Sequence, residues 1–264
     1  MFDLENYLRR IGLEGRPGIA DVHRAQVFTI PFENLDPRRG VPVSLELDDI
    51  VAKLVDGGRG GYCFEHNLLL AAAYEALGYP VELVAARARF AAPRGTARPP
   101  LHVLLRVQAE GETWHADAGF GGAGTLLEPI PWGPGGAHSQ DGWAFQVVEE
   151  GDQLVLRTRR GEGWADVYSF RQTPVPRVDL EPANWFTSTC PRTPFASGII
   201  VSVTRPGGRR VLLSDWRGEL TLTESSPGAE AHRPVGAGEF GPLLAARFGL
   251  PGWTLAETGE LELA

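Results

Sequence analysis

"LHVLLRVQAEGETWHADAGF", residues 101–120, reads as two strands around a tight turn. Glu110-Gly111 interrupts the β-type run at its middle. A turn centred there places Val103, Leu105 and Val107 on one face with Trp114, Ala116 and Ala118. That face is wholly apolar and belongs to a core. The other face carries His102, Leu104 and Arg106 with Thr113, His115 and Asp117. Asp117 then stands diagonally across from His102, and diagonal Cα atoms about 7–8 Å apart leave the side chains within hydrogen-bonding reach. A one-residue slip would turn His115 and Asp117 toward the apolar side, so the patterning favours a His–Asp pair.

The chain changes texture around this hairpin. Before it come helical patterns: "DLENYLRRIGL" with Asp3 as N-cap, "GIADVHRAQVF", "LDDIVAKLVDGG" and "CFEHNLLLAAAYEALGYP". After Pro80 come short β-type runs: "VELVAARARF", the hairpin itself, "WAFQVVEE" and "QLVLRTRR". "EPIPWGPGGAHSQDGW" reads as a Gly/Pro loop and the neighbourhood of residue 190 as irregular. Three more strand-like runs, "SGIIVSVT", "RRVLLSD" and "GELTLTE", precede a helix candidate, "EFGPLLAARFGL". Helices first and strands after, without βα alternation, predict an α+β protein in about three parts.

Composition narrows the function. A chain of 264 residues, 43% hydrophobic and 22% charged, can bury a sizeable core. A net charge of −8 argues against general binding to nucleic acid or to an anionic membrane. The N-terminus lacks an apolar signal region, and the apolar runs are too short to span a bilayer. Two cysteines, Cys63 and Cys190, cannot make a disulfide framework, so a reduced, cytoplasmic setting is expected.

One of those cysteines lies in "RGGYCFEHN", residues 59–67, where the fourth helical run begins. In the first turn of a helix, free N–H groups and the dipole favour thiolate. The two glycines before it would let the chain turn sharply and a substrate approach the backbone. The plain competing reading is a small buried apolar residue at a helix start. A nucleophilic cysteine needs a base and a group that orients the base, and His102 with Asp117 supplies both. His115 and His66 compete as base; His115 lies further from the strand end, and no carboxylate is placed to orient His66. No CxxC or HExxH spacing suggests a metal site. "GFGGAG" (119–124) satisfies G-x-G-x-x-G, but Pro129 and Pro131 preclude the helix a dinucleotide site needs.

These residues resemble a known family, the arylamine N-acetyltransferases. The blocks that carry the resemblance are "YLRRIGL", "HRAQVFTIPFENLD", "RGGYCFEHN", "HVLLRV", "WHADAGFG" and "NWFTSTCPRTPF", in order from residue 7 to residue 195. The resemblance implies a catalytic triad of Cys63, His102 and Asp117 on a core similar to that of cysteine proteases. It also implies three parts: a helical bundle carrying the cysteine (1–82), a β-barrel carrying His102 and Asp117 (83–190) and an α/β lid (191–264). Acetyl-CoA is then the acyl donor and a small arylamine or arylhydrazine the acceptor, with no metal; a homodimer is left open. Phe32, Tyr62 and Phe120 occupy the positions of an aromatic acceptor pocket. Leu101 departs from the pattern, since similar proteins often carry a small hydroxyl residue before the histidine. The arginines of "RARFAAPRGTAR" and "TRPGGRR" read as solvated loops rather than as ligands for CoA phosphates. Related amide synthases that close macrolactams share the triad. A papain- or transglutaminase-type hydrolase does not fit "PFENLD" and "GGYCFE", and an intact triad argues against a non-catalytic binding module.

Overall fold

Asp3 starts the first helix: its Oδ1 accepts the Asn6 backbone N–H at 3.0 Å, and α1 (Leu4–Arg10) buries Tyr7 and Leu8. α2 (Ile19–Thr29) turns Val22, His23, Gln26 and Val27 inward. A two-residue strand, β1 (Phe32–Glu33), and a single turn, α3 (Leu35–Arg38), lead to α4 (Leu47–Val51), which continues as a π turn over Ala52–Asp56. α5 (Cys63–Ala76) begins at the cysteine, and every residue from Cys63 to Tyr74 is buried. A helix this apolar on all sides must be wrapped, and α1, α2, α4 and the barrel enclose it. The computed structural model describes residues 2–263 except Ala91, Arg94 and Arg217. Arg94, one of the loop arginines noted in the sequence, therefore lies outside the described residues.

Eight antiparallel strands curl into a nearly closed barrel. They are β2 (Val81–Ala88), β3 (His102–Ala109), β4 (Glu112–Ala116), β5 (Ile130–Pro131), β6 (His138–Gln140), β7 (Trp143–Glu150), β8 (Gln153–Arg160) and β9 (Gly163–Phe170), in spatial order β5-β4-β3-β2-β9-β8-β7-β6. The β3–β4 hairpin has the register that the hydrophobic pattern demands: Leu105 faces Ala116, Arg106 faces His115 and Val107 faces Trp114. Glu110 and Gly111 make its turn with φ of 56° and 80°, both left-handed as a two-residue hairpin with matching twist requires.

The face carrying His102 and Asp117 is buried as well: His102, Leu104, His115 and Asp117 are each no more than 4% exposed. What covers it is β9, whose Tyr168 and Phe170 sit over the histidines. "GWADVYSF" hides in the sequence because Gly163, Ala165 and Asp166 dilute its β pattern, and a register shift at Leu156/Arg157 breaks the ladder beside it. The segment before residue 190 is not irregular but helical, α6 (Leu180–Thr189). Its Thr187, Ser188 and Thr189 hydroxyls bond back to the carbonyls of Ala183, Asn184 and Trp185, and the weak helix propensity of these residues is what hides the helix in the sequence.

The C-terminal lid is a second antiparallel sheet with helices behind it. After α7 (Pro194–Ser197) come β10 (Ile200–Arg205), β11 (Arg209–Ser214), β12 (Thr221–Ser226) and β13 (Ala229–Pro234), ordered β1-β10-β11-β12-β13. The N-terminal β1 thus forms one edge of the lid sheet. α8 (Ala237–Leu243), a π turn and the hairpin β14 (Trp253–Leu255) and β15 (Leu261–Leu263) complete it. Val201, Val211, Leu213 and Leu222 pack there against Phe240, Leu244, Phe248 and Trp253. Among the described residues no helix is long and apolar enough to cross a membrane.

Candidate functional site

Cys63 is the first residue of α5 and only 4% exposed. Its Sγ lies 3.7 Å from the Leu101 carbonyl, immediately before His102. The glycines ahead of it serve packing rather than a sharp turn or a substrate. A Cβ on Gly60 would lie 2.1 Å from the Pro31 carbonyl oxygen, and one on Gly61 2.6 Å from Glu65 Oε2. Glu65 returns to cap the helix, accepting the Tyr62 N–H at 3.0 Å, and it also receives Lys53 Nζ at 2.8 Å. Lys53 pairs with Asp36 as well (3.0 Å), and Arg59 joins Asp36 (2.9 Å) to Glu33 (2.7 Å). A buried ionic frame therefore holds the start of the cysteine helix.

The strand partners meet as the register requires. His102 Nε2 lies 2.7 Å from Asp117 Oδ2. The other carboxylate oxygen accepts the Asn67 side-chain amide and the Gly119 N–H, each at 2.9 Å. Burial alone would raise the Asp117 pKa, but the His102 charge and these hydrogen bonds bring it down to about 2. For His102 the same contest runs the other way. Burial opposes its charge, yet the Asp117 carboxylate and the Cys63 sulfur more than offset it and raise its pKa to about 10. With Nε2 engaged by Asp117, Nδ1 is the nitrogen left for the thiol proton.

The other buried histidines are engaged by different partners. His66 Nε2 lies 3.1 Å from the Pro31 carbonyl, and His115 Nε2 lies 2.7 Å from the Tyr168 hydroxyl. His23, which the sequence did not single out, accepts the Asp117 backbone N–H at 3.1 Å. Burial holds all three near a pKa of about 4, neutral imidazoles that position their neighbours. Asn67 and Tyr168 were missed as well. The signal for Asn67 was available: it is a polar residue one turn beyond Cys63, on the same face of the helix.

The aromatic residues divide by burial. Phe120 is half-buried, and its ring meets the His102 imidazole edge-on at 5.3 Å. Phe32 is stacked on His66 at 6.3 Å, and Tyr62 is fully buried with its hydroxyl bonded to Asn184. Phe195, not anticipated, contacts both, at 6.2 Å and 5.8 Å. The glycine loop is filled from inside the protein. Cβ atoms on Gly119, Gly121 and Gly124 would meet Cys63, the Phe32 ring and the Phe120 ring, all under 3.0 Å. Gly122–Gly124 forms a short 3₁₀ turn, not a phosphate-binding helix.

A cavity of about 900 Å³ lies under the arginine-rich loop, beside Ala85, Arg87, Ser169 and Arg171. Two of its arginines are engaged: Arg87 bonds the Arg98 carbonyl, and Arg89 pairs with Glu150 (2.7 Å) and Asp166 (3.4 Å). Of the second arginine-rich segment, Arg210 is not solvated but only 3% exposed, inside the lid sheet. Cys190 follows the last turn of α6, and the backbone N–H and guanidinium of Arg192, two residues on, lower its pKa. Among the described residues no group of three or more His, Cys, Asp or Glu side chains could hold a metal ion.

Residues 18–252 match the family model described as N-acetyltransferase. The chain is 37% identical over 258 residues to the arylamine N-acetyltransferase of Mycolicibacterium smegmatis, covering 94% of this chain and 92% of that one. Its identity to the Mycobacterium tuberculosis arylamine N-acetyltransferase is 33% over 271 residues, covering 98% and 93%. The fold superposes on the Mycobacterium marinum enzyme in complex with CoA with a TM-score of 0.88 at 32% identity, covering 94% of this chain and 92% of that one.

Proposed function

The chain belongs to the arylamine N-acetyltransferase family and is an acetyltransferase, and from that premise we propose that it moves the acetyl group of acetyl-CoA to the nitrogen of an arylamine or arylhydrazine through an acyl-Cys63 intermediate. We read the chain as three working units, a cysteine-bearing bundle (1–82), a barrel with the histidine and aspartate (83–190) and a lid (191–264). The observation that carries the proposal is the buried 2.7 Å His102–Asp117 pair, with the Cys63 sulfur against the same imidazole at a helix start.

His102 holds the thiol proton, and the resulting thiolate attacks the thioester carbonyl. The first-turn N–H groups of α5, which have no intrahelical acceptor, face the oxyanion that forms. The C–S bond to CoA breaks, and the leaving thiolate takes the proton from imidazolium. The amine nitrogen then attacks the acyl-cysteine and gives a proton to His102, and the C–S bond to Cys63 breaks to release the amide. Asp117 keeps Nε2 protonated throughout, so Nδ1 faces the chemistry at each step. Phe120 is placed to stack an acceptor ring beside the imidazole, with Phe32 and Tyr62 shaping the wall behind. A free thiol nucleophile suits a reduced, cytoplasmic setting.

Steady-state rates at varied acetyl-CoA and arylamine test the order of events. Parallel reciprocal plots are expected, and intersecting ones would point to direct transfer in a ternary complex.

A further inference from the structure

Arg210 is an anomaly in the lid. Only 3% exposed, it forms no ion pair among the described residues, and burial lowers its pKa to about 9. Its guanidinium donates to the carbonyls of Ala123 and Thr125 (2.8 Å for the latter) and lies 4.2 Å over the Trp143 ring; its Nε has no partner. An apolar residue of similar volume would fill this space without the desolvation cost of a lone charge. The guanidinium does what an apolar residue could not: it fastens the backbone of the glycine loop.

That loop carries Phe120. Gly122 N–H donates to Ser202 Oγ at 3.1 Å, a second bond from the lid. The Phe120 ring is pressed against Gly124, where an added Cβ would come within 2.3 Å of it. The chain of contact thus runs from β11 through Ala123–Thr125 to the ring beside His102. A thioester's acetyl group is small and makes little use of a ring wall, whereas an aromatic nucleophile must lie against one.

We propose that Arg210 is a positioning residue which, through the Ala123–Thr125 backbone, holds Phe120 against the imidazole and so sets the preference for aromatic over non-aromatic nucleophiles. The proposal rests on the acyl-cysteine reading above.

The experiment compares phenylhydrazine with hydrazine, the same reacting nitrogen with and without a ring, in the wild type, Arg210→Met, Arg210→Lys, Ser202→Ala and Phe120→Leu. In Arg210→Met the ratio of kcat/KM for phenylhydrazine to that for hydrazine should fall about tenfold or more, chiefly through KM for phenylhydrazine. Arg210→Lys, which keeps a charge and a donor, should recover part of the ratio. Phe120→Leu should lower it too, and combining it with Arg210→Met should lower it no further, because both act at one place. If Arg210→Met does not fold, Ser202→Ala carries the test and must shift the ratio in the same direction. An unchanged ratio in a folded variant, or an equal fall for both nucleophiles, overturns the proposal. CoA release from acetyl-CoA alone is measured alongside: its absence in the wild type defeats the acyl-cysteine reading, while the steady-state ratio still decides the role of Arg210.

Discussion

Asn67 Nδ2 donates to Asp117 Oδ1 at 2.9 Å, tying the cysteine helix to the carboxylate that orients His102. The same amide donates to the Val103 carbonyl at 2.7 Å, and Asn67 Oδ1 accepts the Ala118 N–H at 3.0 Å. One side chain therefore fixes the helix bearing Cys63, the strand just past His102 and the loop just past Asp117. Asn67→Leu keeps the volume but takes its bonds from the Val103 carbonyl and the Ala118 N–H and leaves Asp117 Oδ1 with the Gly119 N–H alone, so a loss of roughly 3–5 kcal/mol is expected. Asn67→Asp is the sharper probe. A second carboxylate beside Asp117 opposes its ionisation, so the acid limb of kcat/KM should move to higher pH. A limb that stays put would show that Asn67 supports the fold without tuning the carboxylate.

Asp117→Asn isolates the tautomer argument. The carboxylate is 1% exposed and nearly isosteric with the amide, so the variant should keep the fold, although losing the charged His102–Asp117 pair lowers its stability. Its amide no longer favours a proton on His102 Nε2, and acyl transfer should fall by roughly 10³–10⁴-fold. A loss below about tenfold would mean that Asp117 only packs against the ring.

The hairpin and the cysteine helix were legible in the sequence because local patterning decides them. Alternation along residues 101–120 admits one register, and Cys63 stands where the apolar helical run starts. What stayed hidden depends on contacts remote in sequence. Tyr168 lies in a strand whose pattern is diluted, and its role follows from β9 pairing with β2. His23 looks like any polar residue of α2 until the Asp117 N–H is found on its ring. Nor does anything in "TRPGGRR" show that Arg210 points into the lid while Arg209 faces solvent. The glycines before Cys63 were noticed for the wrong reason, since backbone and Glu65 fill the space beside them.

Acid should destabilise the fold through three buried neutral histidines. His23, His66 and His115 have folded pKa values of about 4. Below their ordinary value of about 6.5 the unfolded chain binds protons that the folded chain does not. Their contribution is complete above that value and is lost as pH falls toward 4, at up to roughly 3 kcal/mol for each fully buried ring. His102 has the opposite sign: with a folded pKa of about 10, its contribution is complete below its unfolded value of about 6.5 and is lost progressively as pH rises from there through 10. Asp117, with a folded pKa of about 2, stabilises above its unfolded value of about 3.9 and loses that contribution progressively as pH falls from there through 2. Between pH 6.5 and 4 neither compensates the three neutral histidines. The guanidinium midpoint should therefore drop between pH 6.5 and 4.5, and His66→Gln should shrink that drop by about a third. An undiminished drop would clear His66 of the acid sensitivity.

Lys53, the only lysine in the chain, is enclosed with Asp36 at 3.0 Å and Glu65 at 2.8 Å. Burial opposes its charge, but Glu65, Glu33 and Asp36 together raise its pKa above the ordinary lysine value. Lys53→Met leaves two carboxylates facing each other in a dry site, and roughly 3–5 kcal/mol should be lost. Adding Glu65→Gln removes one of those charges, so the double variant should be more stable than Lys53→Met alone. Denaturant midpoints of the three proteins decide it; a double variant less stable than the single would refute charge repulsion as the cause.

A covalent relay also fixes what must happen before any amine is present. Acetyl-CoA alone should release one equivalent of CoA in a burst, and the protein should gain the mass of one acetyl group. Site assignment needs care, because Arg192 lowers the pKa of Cys190 and makes it a second thiol able to react. The measurement therefore belongs in a Cys190→Ala background, where a retained burst assigns the acyl group to Cys63. Cys63 is 4% exposed, so water reaches the thioester poorly and the acyl-enzyme should survive to mass analysis. An arylamine should discharge it at a rate matching turnover, since a true intermediate cannot be slower than the cycle that contains it. Cys63→Ala should abolish the burst and Asp117→Asn should slow it without lowering its final amplitude, because acylation is delayed while the thiol remains. A full burst in Cys63→Ala, or an acetyl mass found only on Cys190, would defeat the covalent mechanism.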